Sequence, residues 1–136
     1  MDLVGEFVKL VGSAPWYRLI GMEIKREENE ILVEIQIEEK HLQALGMVHG
    51  GAIASILDSA IGLNINKELI EKGKLAITSQ LNVHYLKPVS RGKITAKAKP
   101  LFIGSKVAVG YGELKDENGE TIAVATSTFY ITTRKE

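Results

Sequence analysis

Eighteen residues from His49 to Asn66, HGGAIASILDSAIGLNIN, carry a single formal charge, on Asp58. Two glycines open the run, and Ala, Ile, Leu and Ser fill about four to five helical turns of it. Wound at about 100° per residue, it places Ile53, Ile56, Leu57, Ala60 and Leu63 on one side, and Gly51, Ala54, Ser55, Asp58 and Gly62 on the other. One side is bulky and the other small. A helix without a polar stripe belongs in a large core or in a membrane. A bilayer span needs roughly 20 apolar residues and tolerates a central carboxylate poorly, so the core is the better home. The rest of the chain must therefore wrap this helix.

Burying an ionised carboxylate without a partner costs several kcal/mol, so Asp58 needs compensation. Two readings stand. In the first, a neighbouring hydroxyl, amide or base satisfies a purely structural acid. In the second, the acid does chemistry: the small side chains leave room for another body, and Gly50 and Gly51 allow close approach to the helix start. Backbone N–H groups there, with the positive end of the dipole behind them, suit an oxyanion. Gly50 and Asp58 are eight residues apart, about 12 Å along the axis, whereas both must come within about 3 Å of one reacting carbonyl. Two copies of the helix running antiparallel across a two-fold axis would close that gap. The expectation is a composite site at a homodimer interface.

A chain of 136 residues suffices for one core and is read as a single domain, 1–136. Seventeen basic and seventeen acidic residues cancel, which gives no field for nucleic acid and favours a small-molecule or protein partner. With no cysteine, thiolate catalysis, disulfides and cysteine-ligated zinc drop out. His41, His49 and His84 have no ligand spacing, so no metal is expected. The start, MDLVGEFVKLVG, lacks the features of a secretory signal, and the expected location is the cytoplasm.

Leu3, Val4, Phe7, Val8, Leu10 and Val11 recur at helical spacing until Gly12, Ser13 and Pro15. Trp16 and Tyr17 are expected to pack under that helix. Alternation from Leu19 to Glu27, a turn at Glu28-Asn29 and strict alternation from Ile31 to Ile37 predict a hairpin. A polar loop, Glu38 to Val48, feeds the central helix, which is expected to continue past Lys67 and be capped by Gly73. Four strands follow, Leu75–Leu86, Gly92–Phe102, Lys106–Leu114 and Glu120–Thr132, joined by tight turns that imply antiparallel pairing. An α+β fold results, with an antiparallel sheet wrapped around one long central helix.

That order, with His49-Gly50-Gly51 at the helix start and Asp58 nine residues after the histidine, resembles the hot dog fold thioesterases. It is most similar to the phenylacetic acid degradation type of acyl-CoA thioesterase in the 4-hydroxybenzoyl-CoA thioesterase superfamily. The resemblance runs from about Trp16 to Thr132. It implies hydrolysis of acyl-CoA thioesters by dimers or tetramers, with sites between subunits and no cofactor. By position, Gly50 would polarise the thioester carbonyl, and Asp58 of the facing subunit would be nucleophile or general base. Thr78 falls where relatives place a hydroxyl beside the carboxylate. Gln43 stands where they commonly have Asn, and His49 is expected to be structural, donating to backbone. The resemblance places Lys87, Arg91, Ser105 and Lys106 around the coenzyme A arm, where cations suit phosphates. A non-catalytic acyl-binding or scaffold protein on this fold is the competing reading. A hydratase would need an Asp–His pair that the sequence does not show.

Overall fold

The computed structural model describes residues 1–133; residues 134–136, the end of the expected domain, lie outside them. Helix α1 (Leu3–Gly12) begins where the Asp2 carboxylate accepts the Gly5 N–H at 2.9 Å. None of its residues is buried, although Phe7, Val8 and Val11 lean on the core. A second helix, α2 (Pro15–Ile20), interrupts the expected strand from Leu19: Pro15 opens it and Gly21, at φ 81°, closes it. The first strand is therefore shorter than the alternation suggests. It is β1 (Glu23–Glu27), paired with β2 (Glu30–Gln36).

Helix α3 (Gly50–Asn66) follows, then β3 (Lys74–Tyr85), β4 (Lys93–Ile103), β5 (Val107–Lys115) and β6 (Thr121–Thr133). The six strands form one antiparallel sheet in the order β1-β2-β4-β5-β6-β3. Helix α3 carries the chain across the sheet from β2 to the far edge at β3 and touches every strand except β1 closely. Its bulky side, with Ile53, Ile56, Leu57, Ala60 and Leu63, is buried against the sheet, while the small side stays half-open. Each such Ile or Leu side chain contributes roughly 1.5–3 kcal/mol by leaving water. Close approach depends on β5: a Cβ on Gly110 would stand 2.5 Å from Ile61 Cγ2, and one on Gly112 3.1 Å from Ile61 Cγ1.

The C-terminal half of α3 is tied into the sheet by two buried amides. Asn64 accepts the Ile31 N–H (3.2 Å) and donates to the Ile31 carbonyl (2.8 Å) on β2. Asn66 accepts the Ala76 N–H (2.7 Å) and donates to the Ala76 carbonyl (3.1 Å) on β3. With its last side chain thus committed, α3 ends at Asn66 and does not run on past Lys67 as expected. Gly73, at φ 73°, closes a separate 3-10 turn over Ile70–Lys72.

Strand β3 is an outer edge of the sheet, twelve residues long and largely exposed. A bulge between Thr78 and Gln80 keeps both Thr78, opposite Phe129, and Leu81, opposite Ser127, on the helix side. The strand thereby turns the Thr78 hydroxyl toward α3.

Candidate active site

Asp58 lies on the small side of α3, half-buried, and its Oδ1 accepts the Thr78 hydroxyl at 2.9 Å. Burial pushes the carboxyl above its ordinary value; the Thr78 hydrogen bond pulls the other way and does not cancel it. The acid opens onto a cavity of about 380 Å³ shared with Phe7, Val11, Trp16, Leu63 and Phe129. Trp16 and Tyr17 divide their work. Tyr17 is buried, and burial raises its phenol with the Asp58 charge as a further cause. Trp16 instead is 52% exposed, lines the Asp58 cavity and donates its indole N–H to Ser55 Oγ at 3.3 Å. Tyr17 is thus a core residue that also lines this cavity, whereas Trp16 stays half in solvent, unlike the packing expected of it.

A second hollow, of about 470 Å³, surrounds the start of α3. Gln43, Gly50, Gly51, Tyr85 and Lys87 contribute to its wall. His49 is the N-cap: its Nδ1 accepts the Gly51 N–H at 2.7 Å, so it serves the backbone as acceptor and not as the expected donor. The Gly50 N–H meets no acceptor among the described residues and points from the positive end of the helix. Gln43 turns its amide oxygen back to the Leu45 N–H, stiffening the loop beside Gly50. Tyr85 was not apparent from the sequence. Its hydroxyl donates to the Gly50 carbonyl at 2.8 Å, and a Cβ on Gly50 would meet its ring at 3.3 Å. The space that this glycine frees is thus partly taken by a tyrosine that holds the helix start.

Within one chain, Asp58 with Thr78 lies at mid-length of α3 and Gly50 with Gln43 at its start, in different hollows. The four residues expected around coenzyme A are divided as well. Lys87 lines the Gly50 hollow and pairs with Glu120 at 3.1 Å, and Arg91 lies in the loop just before β4. Ser105 and Lys106 lie beyond the other end of that eleven-residue strand, about 33 Å away at the usual rise. One subunit does not gather all four. No cluster of three or more His, Cys, Asp or Glu suited to a metal occurs among the described residues. No helix among them is long and apolar enough to cross a membrane.

The profile of the thioesterase superfamily matches residues 45–123, from the loop before α3 into β6. The chain belongs to the thioesterase superfamily. A medium/long-chain acyl-CoA thioesterase of Escherichia coli, YigI, is 34% identical over 96% of this chain and 93% of its own length. A Haemophilus influenzae thioesterase superposes with a TM-score of 0.88 at 23% identity, covering 100% of this chain and 94% of that one, which establishes the shared hot dog fold. A Bacillus halodurans protein crystallised with CoA gives 0.84 at 29% identity, over 97% of this chain and 91% of that one. A thioester is already activated, so an acid and a preorganised N–H can replace a Ser-His-Asp relay.

Proposed function

We propose that this thioesterase hydrolyses acyl-CoA thioesters at two equivalent sites between the subunits of a homodimer, itself able to pair into a tetramer. The observation that carries the reading is Asp58: a carboxylate oriented by Thr78, raised by burial and open to an apolar cavity. The amide that would polarise its substrate lies eight residues away, at the start of the same helix, about 12 Å along its axis. Pairing the exposed edge of β3 with β3 of a second copy is supported by its length of twelve residues and by its outer side, which has no neighbouring strand among the described residues. The two α3 helices would then run antiparallel, and Gly50 of the partner subunit would face Asp58.

In such a site the thioester oxygen accepts the Gly50 N–H of the partner subunit. As general base, Asp58 takes a proton from water while the hydroxyl oxygen bonds to the carbonyl carbon. The C–S bond then breaks, and the thiolate leaves and collects a proton. As nucleophile, Asp58 bonds to that carbon and expels the thiolate as the C–S bond breaks, and water then attacks the Asp58 carbonyl carbon of the resulting anhydride, releasing the acid and restoring the carboxylate. Either route requires the ionised carboxylate; single-turnover hydrolysis in ¹⁸O-water separates them by whether label enters Asp58. The similarity to YigI and to the CoA-bound B. halodurans protein favours coenzyme A as the thiol, with Lys87, Arg91, Ser105 and Lys106, drawn from both subunits, near its phosphates. Acting on such thioesters, the enzyme would work in the cytoplasm without a cofactor.

The test is a series of acyl-CoA substrates followed by free-thiol release, with Asp58→Ala alongside. Hydrolysis that falls about 10³-fold in the variant, or about 4 kcal/mol of transition-state stabilisation, supports the reading. Unchanged turnover in a folded Asp58→Ala protein would favour the non-catalytic acyl-binding alternative.

A further inference from the structure

Of the three histidines only His41 is buried, at 4% exposure, and neither hydrolytic route engages it. It ends the 3-10 turn Glu39–His41 in the loop between β2 and α3. Both ring nitrogens are taken. Nδ1 accepts the Glu38 N–H at 2.9 Å, and Nε2 lies 2.7 Å from the Ile20 carbonyl. A backbone N–H can only donate and a carbonyl can only accept, so the ring carries a hydrogen on Nε2 and donates it to Ile20. Ile20 is the last residue of α2, 21 positions earlier in the chain. The side chain of His41 thus ties its turn to α2.

Its main chain serves α3. The His41 carbonyl accepts the His49 N–H at 2.8 Å, and the loop between them is closed by the Leu42–Val48 bridge and by the Gln43 N–H on the Met47 carbonyl at 2.7 Å. His49 is the N-cap of α3, and its own carbonyl, in one peptide plane with the Gly50 N–H, accepts the Ala52 N–H at 3.0 Å. The plane that aims the Gly50 N–H is therefore held on one side by the first turn of α3 and on the other, through His49, by His41. Helix α2 in turn carries Trp16 and Tyr17 into the wall of the Asp58 cavity. One imidazole joins the wall beside the acid to the start of α3.

We propose that His41 is a positioning residue for thioester hydrolysis, fixing the start of α3 and its Gly50 N–H against α2. The inference rests on the reading of Gly50 as the donor to the thioester oxygen. Such a donor stabilises the transition state only where it is already aimed, and removing one costs about 10²–10³ in kcat. A donor that is loosened loses part of that. The loss falls on kcat, because the bond strengthens as charge develops on the oxygen.

The experiment compares His41→Gln and His41→Asn by thiol release and thermal denaturation. The Gln amide nitrogen reaches the place of Nε2 and keeps the bond to Ile20, whereas the Asn amide oxygen replaces Nδ1 and keeps only the bond to Glu38. Each variant gives up one hydrogen bond, so a purely structural histidine loses activity alike in both. The expected result is a kcat about tenfold or more below the wild type in His41→Asn, at an unchanged KM, with most of it retained in His41→Gln. Equal kcat values in the two variants, or a loss carried by KM, overturn the proposal. His41→Met, apolar and without the Ile20 bond, takes the place of His41→Asn if that variant does not fold. Gly50→Pro, which deletes the N–H, is assayed alongside. Full turnover in Gly50→Pro overturns the Gly50 reading and this proposal with it; an inactive Gly50→Pro beside a fully active His41→Asn overturns the role of His41 alone.

Discussion

The two halves of α3 are treated oppositely by the fold. From Ala60 onward nearly every side chain is buried, and Asn64 and Asn66 fasten the helix to β2 and β3. From Gly50 to Ser59 only the bulky side is covered, and Ser55, Asp58 and Ser59 remain half-open. The anchored half supplies stability, and rigidity there lets the open half hold an unneutralised acid and an unpaired amide in place. Polar residues in one helix thus have two fates: Asn66 is consumed by backbone groups, and Asp58 keeps one oxygen without a hydrogen-bond partner among the described residues.

Exchanging those fates by mutation gives the largest contrast. Asp58→Asn should abolish thioester turnover to the extent described for Asp58→Ala, yet leave the melting temperature unchanged or raised, because a costly buried charge is gone. Asn66→Ala should do the reverse. It strands the Ala76 N–H and carbonyl, at about 1–3 kcal/mol per unsatisfied buried group, so the melting temperature falls while the protein still folded retains its turnover. Paired thermal denaturation and thiol-release assays check both. Loss of turnover without loss of stability in Asn66→Ala would break the division between the halves.

The pH dependence gives a smaller effect with a definite sign. Burial raises Asp58 above the ordinary 3.8, so the acid limb of kcat/KM should lie above that value and activity should rise with pH through it. Folding favours the protonated form. The stability penalty is therefore absent below the unfolded-state value and builds as pH rises through the folded-state value. Thr78→Val removes the opposing hydrogen bond and should move the acid limb further upward, which a pH–rate profile reads directly. A limb displaced downward in Thr78→Val would contradict the geometry.

Tyr85→Phe is the smallest change. Losing the bond to the Gly50 carbonyl should cost about 0.5–1.5 kcal/mol of stability and lower kcat severalfold with little change in KM, since the residue positions the helix start through its backbone. Equal losses in kcat for Tyr85→Phe and Tyr85→Leu would fit this role.

Periodicity alone located α3 and placed β3 to β6 within a residue of their observed ends, because strict alternation and short Gly- and Asp-containing turns admit few alternatives. Helix α2 was hidden: six residues are too few for a 3.6-residue period to show, and Leu19 to Glu27 loosely alternates. Its signals were Pro15 at the start and Gly21 at the end. In the site, Asp58 stood out as the lone charge in an apolar helix, whereas Thr78 was singled out only by the resemblance. Tyr85 did not stand out, since its role is a hydrogen bond to a backbone carbonyl 35 residues away. The separation of Arg91 from Ser105 and Lys106 follows from the expected strand Gly92–Phe102 between them; the resemblance, not the strand pattern, grouped the three.

The shared site itself is tested most directly by mixing two inactive subunits. Asp58→Asn lacks the acid. Gly50→Pro lacks the N–H at the first helical position, where proline is tolerated and His49, at φ −61° and ψ 136°, is already extended. In a heterodimer of the two, one site carries both defects and the other pairs an intact Asp58 with an intact Gly50. Random assortment on co-expression makes half the dimers mixed, so thiol release should recover to about a quarter of the wild-type rate. Activity that stays at the sum of the two parent variants would contradict a site built from both subunits.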